Sequence, residues 1–268
     1  MGFPKGASIP FAKLQLAAGF KPRSRFNLID CTSQVRKRGP MQIARRSFAL
    51  LLAALLFSSC SMLPGFVSDA QNEFDQGLAF FNQGRYQEAA ARFQKATELD
   101  PNFGRAYLYL GRSYVNLRSW GQALAPLRTA YRLVPDETKS EVLGILVDAL
   151  LSFGLDAFKS GDFTSAIGSF REVLTLQPNS ANARSEIVKA LVGYGGALLA
   201  KGNISQAIST YSEALKFAPN NFDAVFGLAK AFFRNGDYLK ALQTAEDAMR
   251  FDSGNRELQS LLQELRRK

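Results

Sequence analysis

Histidine is absent from this sequence of 268 residues, which also has only two cysteines and one tryptophan. The lack of imidazole groups excludes histidine-based catalytic triads, the H-E-x-x-H zinc motif and histidine general bases. The two thiols, Cys31 and Cys60, lie too close to the N-terminal end to form a metal site or a disulfide framework in the rest of the chain. Only scattered carboxylates remain for acid–base chemistry, so we expect no enzymatic activity, no metal site and no cofactor.

Acidic residues are scarce in one part of the chain only. The formal net charge is +10, but residues 1–59 hold ten Lys and Arg against the single acidic residue Asp30. From Cys60 onward the chain has 23 basic and 22 acidic residues. The positive charge therefore belongs to the N-terminal segment, and we expect no nucleic-acid partner for the rest of the protein.

The apolar run over residues 48–57 is too short to cross a membrane. As a helix its ten residues would measure about 15 Å, roughly half the hydrocarbon thickness of a bilayer. Arg45 and Arg46 precede the run, and small residues separate it from Cys60. This order of charged, apolar and small residues is typical of a secretory signal peptide.

A cysteine at the cleavage point resembles the lipobox of bacterial lipoproteins. The resemblance implies that residues 41–59 are removed and that Cys60 becomes the lipidated first residue, although Phe57 stands where the motif usually has leucine. A short uncleaved anchor and a buried helix are the alternatives. Arg45, Arg46 and Phe48 also resemble a twin-arginine export signal, with Ala49 off the pattern, so both the general secretory and the twin-arginine routes stay open.

Residues 1–40 mix glycine, proline and basic residues without sustained periodicity. We interpret them as an artefactual or disordered extension, with translation starting at Met41. The alternative is an unusually long basic segment of the signal peptide. On either interpretation Cys31 has no role in the mature protein.

A pattern of small, aromatic and proline residues recurs five times after this N-terminal segment. The five copies are Gly77, Phe80, Gly84, Tyr86, Ala89, Phe93, Ala96 and Pro101; Gly111, Tyr114, Trp120, Ala123, Leu127, Ala130 and Pro135; Gly154, Gly161, Phe163, Ala166, Phe170 and Pro178; Gly195, Gly202, Ala207, Tyr211, Ala214 and Pro219; and Ala229, Phe232, Gly236, Tyr238, Ala241 and Ala248.

The spacing of 34 residues between the first two copies, with L-G-x-x-Y at residues 110–114, resembles the tetratricopeptide repeat. The resemblance implies an all-α, right-handed superhelical solenoid of about five helix pairs over residues 70–253. It also implies an interaction module that binds proteins or peptides in a groove lined by the first helices. We predict that residues 60–69 are a tether and residues 254–268 a capping helix, with Asn255 as its N-cap.

Each copy reads as two amphipathic helices. Gly77, Ala89 and Ala96 fall where we expect the two helix backbones to approach closely. We expect left-handed turns between the helices at Gly84, Gly161, Gly202 and Gly236. Prolines 101, 135, 178 and 219 should end the second helices, and we predict N-caps for the following helices at Asn102, Asp136, Asn179 and Asn220.

Two intervals between the prolines exceed the period. Pro135 to Pro178 spans 43 residues and Pro178 to Pro219 spans 41, so we predict that the first helices of repeats three and four begin about two turns early. Gly193, Gly195 and Gly196 should weaken the second of these helices. Close packing of a neighbouring backbone is our preferred explanation for them, and flexing of the solenoid is the alternative.

We expect a lipid-anchored interaction module or scaffold of the bacterial envelope, on the outer membrane and facing the periplasm. The alternative is a permanent subunit of a secretion, pilus or outer-membrane biogenesis complex. In the first case the predicted groove binds an apolar or amphipathic segment, although several of its residues could instead pack in the core. The predicted groove consists of Phe74, Leu78, Phe81, Leu108, Arg112, Val115, Asn116, Leu151, Leu155, Phe158, Val192, Leu199, Phe226, Lys230, Phe233 and Arg234.

Overall fold

The computed structural model describes residues 68–268, which contain eleven α-helices and no strand. The helices are α1 (Asp69–Asn82), α2 (Tyr86–Leu99), α3 (Gly104–Asn116), α4 (Trp120–Leu133), α5 (Asp136–Lys159), α6 (Phe163–Leu176), α7 (Ala181–Ala200), α8 (Ile204–Phe217), α9 (Phe222–Arg234), α10 (Tyr238–Met249) and α11 (Arg256–Leu265).

The helices pack in chain order. Each helix contacts the next one, and the first helices of neighbouring pairs also touch. Helices α1 to α10 therefore form five stacked pairs, which we call repeats one to five, and α11 packs against the last pair. The buried side chains form successive clusters shared between neighbouring repeats. The prediction of an all-α solenoid with five helix pairs and a C-terminal helix is confirmed.

In repeats one to four, a glycine on the first helix leaves room for a large side chain of the second helix. A Cβ atom placed on Gly77 would lie 2.6 Å from the Phe93 ring, and one on Gly154 would lie 2.6 Å from the Phe170 ring. In repeat five the corresponding residues are Ala229 and Ala245, both fully buried. The expected close approach at Gly77 is thus made by a ring of the partner helix rather than by its backbone. The remaining pairs are Gly111 with Leu127 and Gly195 with Tyr211.

The turns inside the repeats adopt the predicted left-handed conformation. The φ angles of Gly84, Gly161, Gly202 and Gly236 lie between 75° and 84°. Repeat two has Arg118 at this position, with a φ of 54°. Arginine carries a Cβ atom, which makes this conformation unfavourable.

The prolines follow the second helices as predicted, but the predicted N-caps are wrong. Asp136 is the first residue of α5 rather than its cap, and Phe103, not Asn102, precedes α3 without a side-chain hydrogen bond. Ser180 caps α7 and Asn221 caps α9, each one residue after the asparagine that we predicted, Asn179 and Asn220. After Pro101, Pro178 and Pro219 the N-cap residue thus lies one position later than predicted. Before α5 it lies one position earlier, at Pro135 itself.

Helices α5 and α7 carry the two predicted extensions. They have 24 and 20 residues, whereas α1 to α4 and α6 have 13 or 14. The glycines of α7 accommodate aromatic rings. A Cβ atom on Gly193 would lie 2.7 Å from the Phe163 ring, and one on Gly195 would lie 2.8 Å from the Tyr211 ring. The predicted neighbouring backbone is therefore wrong, because the groups that pack closely against these glycines are aromatic rings.

Helix α11 closes the C-terminal end of the stack. The Asn255 side chain accepts a hydrogen bond from the Leu258 amide at 3.0 Å, which confirms the predicted N-cap. The buried face consists of Leu258, Leu261, Leu262 and Leu265. Across residues 68–268, every helix is too short or too polar to cross a membrane.

Candidate partner-binding cavity

The residues of the predicted groove differ widely in burial. Phe74, Leu108, Leu199 and Phe226 are buried, whereas Asn116 and Arg234 are exposed. Phe74 is only 1% exposed, and its ring lies 4.9 Å from that of Phe103. Phe74 is therefore a core residue of the first two repeats. The other ten residues are partly buried: Leu78, Phe81, Arg112, Val115, Leu151, Leu155, Phe158, Val192, Lys230 and Phe233.

The groove residues of the first two repeats already have partners within the chain. The Phe81 ring lies 5.4 Å from that of Tyr109. Arg112 forms an ion pair with Glu141 at 3.0 Å, and the Asn116 side chain donates to the Arg112 carbonyl at 2.8 Å. These contacts join neighbouring repeats and turns of one helix, so part of the polar capacity of Arg112 and Asn116 is already used within the chain.

The groove residues of the third repeat, and Val192 in the middle of α7, pack against the core. Leu151, Leu155, Phe158 and Val192 all contact the cluster of buried residues in repeats three and four. The Phe158 ring lies 5.8 Å from the Phe163 ring. Partial burial leaves one side of each residue accessible, so their role in binding stays a prediction.

Five residues of the predicted groove meet at one cavity of about 440 Å³. The cavity lies between α7, α9 and α11, with one contribution from α8. The five predicted residues are Leu199, Phe226, Lys230, Phe233 and Arg234, and the other lining residues are Gly196, Ala200, Tyr211, Glu257, Ser260, Leu261 and Glu264.

Charged side chains of both signs surround the cavity. Lys230 Nζ lies 3.1 Å from Glu257 Oε1 and 4.3 Å from the centre of the Phe226 ring. Arg234 Nη1 donates to the Leu199 carbonyl at 3.4 Å. Glu264 has no ion pair among the residues that the structure describes. The α9 wall is thus basic and the α11 wall is acidic, around an apolar interior.

Tyr211 is one of the seven lining residues that the sequence did not indicate as part of a site, and the one contributed by a second helix. It belongs to α8, a second helix, and is 4% exposed. Its ring lies between two first helices, α7 and α9. A Cβ atom added to Gly195 of α7 would lie 2.8 Å from the ring, and one added to Gly227 of α9 would lie 2.3 Å from it. Burial raises the pKa of the Tyr211 phenol. Glycines at matching depth in adjacent first helices are the signal that could have located this residue.

Cys60, the predicted lipidation site, lies outside the described residues. Within residues 68–268 no three acidic side chains cluster closely enough to hold a metal ion. A second cavity, of about 370 Å³, lies beside the first turns of α7 and includes Arg184, Val188 and Phe217.

Comparisons with known proteins identify the repeat. A crystal structure of a TPR repeats protein from Bacteroides fragilis is 15% identical, with 75% of this chain and 99% of that chain covered at a TM-score of 0.50. Anaphase-promoting complex subunit 6 from Arabidopsis thaliana is 29% identical over 121 residues, which are 45% of this chain and 21% of that protein. The chain thus spans about a fifth of the length of this relative.

The sequence models described as tetratricopeptide repeat match more than half of the chain. One matches residues 74–138 and 151–221, and another matches residues 198–265. These ranges cover part or all of each of the five helix pairs, and all of α11. The chain therefore belongs to the tetratricopeptide repeat family.

Proposed function

We propose that this protein is an interaction scaffold of the bacterial cell envelope that is anchored by a lipid on Cys60 and binds a protein or peptide segment on its first-helix face. Tetratricopeptide repeats indicate a protein–protein interaction scaffold. One observation supports placing the binding site at the C-terminal end of this face. Five of the predicted groove residues converge on a single cavity between α7, α9 and α11.

The cavity has the composition of a site for an amphipathic segment. Its volume of about 440 Å³ falls within the usual range of ligand pockets. Phe226, Phe233 and Leu261 supply apolar surface for an anchoring side chain, while Lys230 and Arg234 can orient polar groups of the same segment. A helix laid along α9 would satisfy both requirements.

The anchor rests on the sequence of residues 41–60. Two basic residues, a short apolar run and a cysteine after small residues follow the order of a lipoprotein signal peptide, which supports lipidation at Cys60. In enteric-type bacteria, an aspartate directly after the lipidated cysteine favours retention in the inner membrane. This chain has Ser61 at that position, which supports placement in the outer membrane. More than one acyl chain would give stable attachment.

Capture from detergent extracts tests the binding site. We expect Phe233→Lys and, separately, Lys230→Glu to lose a partner that the parent retains, with the captured protein identified by mass spectrometry. Leu239→Lys is the matched control, because Leu239 is 71% exposed on α10 and does not line the cavity. Full capture by both cavity variants with unchanged circular dichroism would place the binding surface elsewhere.

Metabolic labelling tests the anchor. Replacing Cys60 by serine removes the thiol that accepts the lipid, so we expect no labelled fatty acid on the Cys60→Ser protein and no cleavage of its signal peptide. Label on this variant equal to that on the parent would contradict the assignment. Washing the complex in high salt then separates a permanent subunit from an exchanging scaffold.

A further inference from the structure

The Tyr211 side chain lines the cavity between its basic and acidic walls, with its hydroxyl oxygen beside Gly196. The Tyr211 residue is only 4% exposed, and within residues 68–268 no protein group is hydrogen-bonded to its hydroxyl. The hydroxyl is not sealed in the core, because Tyr211 lines the cavity. Buried phenols usually have a hydrogen-bond partner. Because Tyr211 lines the cavity, its hydroxyl can form a hydrogen bond with a molecule that binds there.

The local sequence makes room for this hydroxyl in repeat four. The equivalent residues of the other repeats are Phe93, Leu127, Phe170 and Ala245, none of which has a polar side-chain atom. Gly195 and Gly227 flank the Tyr211 ring so tightly that a methyl group on either would collide with it. A Cβ atom on Gly196 would lie 3.6 Å from the hydroxyl oxygen. The three glycines let a second-helix side chain reach the face formed by the first helices.

The charges that remain after internal pairing lie on different walls. Lys230 and Glu257 neutralise each other across the cavity mouth at 3.1 Å. The Arg234 guanidinium donates one N–H to the Leu199 carbonyl and has further N–H donors available. Glu264 keeps an uncompensated carboxylate on α11. The cavity therefore offers a cation on the α9 side and an anion on the α11 side.

We propose that the cavity holds a tyrosine or tryptophan side chain of an amphipathic helical partner segment and that the Tyr211 hydroxyl hydrogen-bonds to the polar atom of that side chain. The rings of Phe226 and Phe233 supply the aromatic walls. An acidic residue of the segment faces Arg234 and a basic residue faces Glu264. This assignment rests on the proposed function and adds the residue that anchors the partner.

A double-mutant cycle with synthetic peptides tests the hydrogen bond. The probes are peptides of about three helical turns, acetylated and amidated at their ends, with Tyr, Trp, Phe or Leu as the central residue. Fluorescence anisotropy is measured on the full chain in detergent. We expect the parent to bind the Tyr peptide about three to ten times more tightly than the Phe peptide, and Tyr211→Phe to abolish this difference.

The control is Tyr131→Phe, which removes a phenol from α4 outside the cavity and should keep the full preference. Equal binding of the Tyr and Phe peptides by the parent would overturn the anchor while leaving the proposed function intact. Absence of binding by every peptide would count against the cavity as a binding site and thus against both proposals.

A charge exchange tests the orientation of the segment. Two further peptides carry glutamate and lysine on opposite sides of the anchor, in the two possible orders. We expect the parent to prefer one order by about tenfold or less. Arg234→Glu combined with Glu264→Arg should invert that preference. An unchanged preference in this double variant would exclude the assigned roles of Arg234 and Glu264.

Discussion

Arg118 adopts a left-handed backbone conformation that glycine adopts at the corresponding position of the other four repeats. Its φ of 54° places a Cβ atom in the left-handed region, which costs about 1–2 kcal/mol for an ordinary residue. The entropy that glycine loses on folding offsets part of the gain from replacing the arginine. We expect Arg118→Gly to raise the free energy of unfolding by about 0.5–1 kcal/mol. Urea denaturation measures it, and a loss of stability would mean that the Arg118 side chain makes a compensating contact.

The buried phenol of Tyr211 makes stability depend on pH in the alkaline range. Burial disfavours the phenolate, so the folded-state pKa lies above the ordinary value of 10.0. Above that pH the unfolded chain releases this proton while the folded chain keeps it, and stability falls as pH rises. We expect Tyr211→Phe to have a shallower decline than the parent between about pH 9 and 11. Chemical denaturation at several pH values checks this, and parallel declines would contradict it.

Helix α5 contains two glycines in contrasting surroundings. A Cβ atom on Gly154 would lie 2.6 Å from the Phe170 ring, whereas one on Gly144 would meet nothing within 4 Å. We expect Gly154→Ala to destabilise the protein by about 1–3 kcal/mol through overpacking. Gly144→Ala is the matched control and should stabilise it by about 0.5–1 kcal/mol, because alanine is the better helix former. Thermal melts followed by circular dichroism distinguish these opposite signs.

Sequence periodicity predicts elements well because each is specified locally. The spacing of the prolines correctly predicted that α5 and α7 are extended. The turn glycines correctly predicted where the first helices of four repeats end. The cap residues were missed by one position, because the turn geometry after each proline is not encoded in the period. Burial within the groove was also not predictable, since helical spacing gives the face of Phe74 but not how deeply its neighbours cover it. The position of the Tyr211 ring depends on Gly195 in repeat four and Gly227 in repeat five. The pattern within one repeat therefore does not predict it.

The stack as a whole depends on contacts between neighbouring repeats. Removing residues 222–268 would expose the flank of repeat four, including Leu198 and Tyr211, which are buried against repeat five. We expect this truncation to lower the melting temperature by well over 10 °C or to cause aggregation, since each interface contributes to the stability of both partners. Circular dichroism and light scattering check it. An unchanged melt without aggregation would contradict the stacked arrangement.

The two long helices have a consequence for how the protein opens. Each is longer than the other first helices, and both lie in the middle of the stack. In a linear array, opening begins at the ends and moves inward, and a long central element resists it. Backbone amides in α5 and α7 should therefore exchange their hydrogens with solvent most slowly. The cavity lies at the border between this slow centre and the faster C-terminal end, where a bound segment would join α7, α9 and α11 into one cooperative unit.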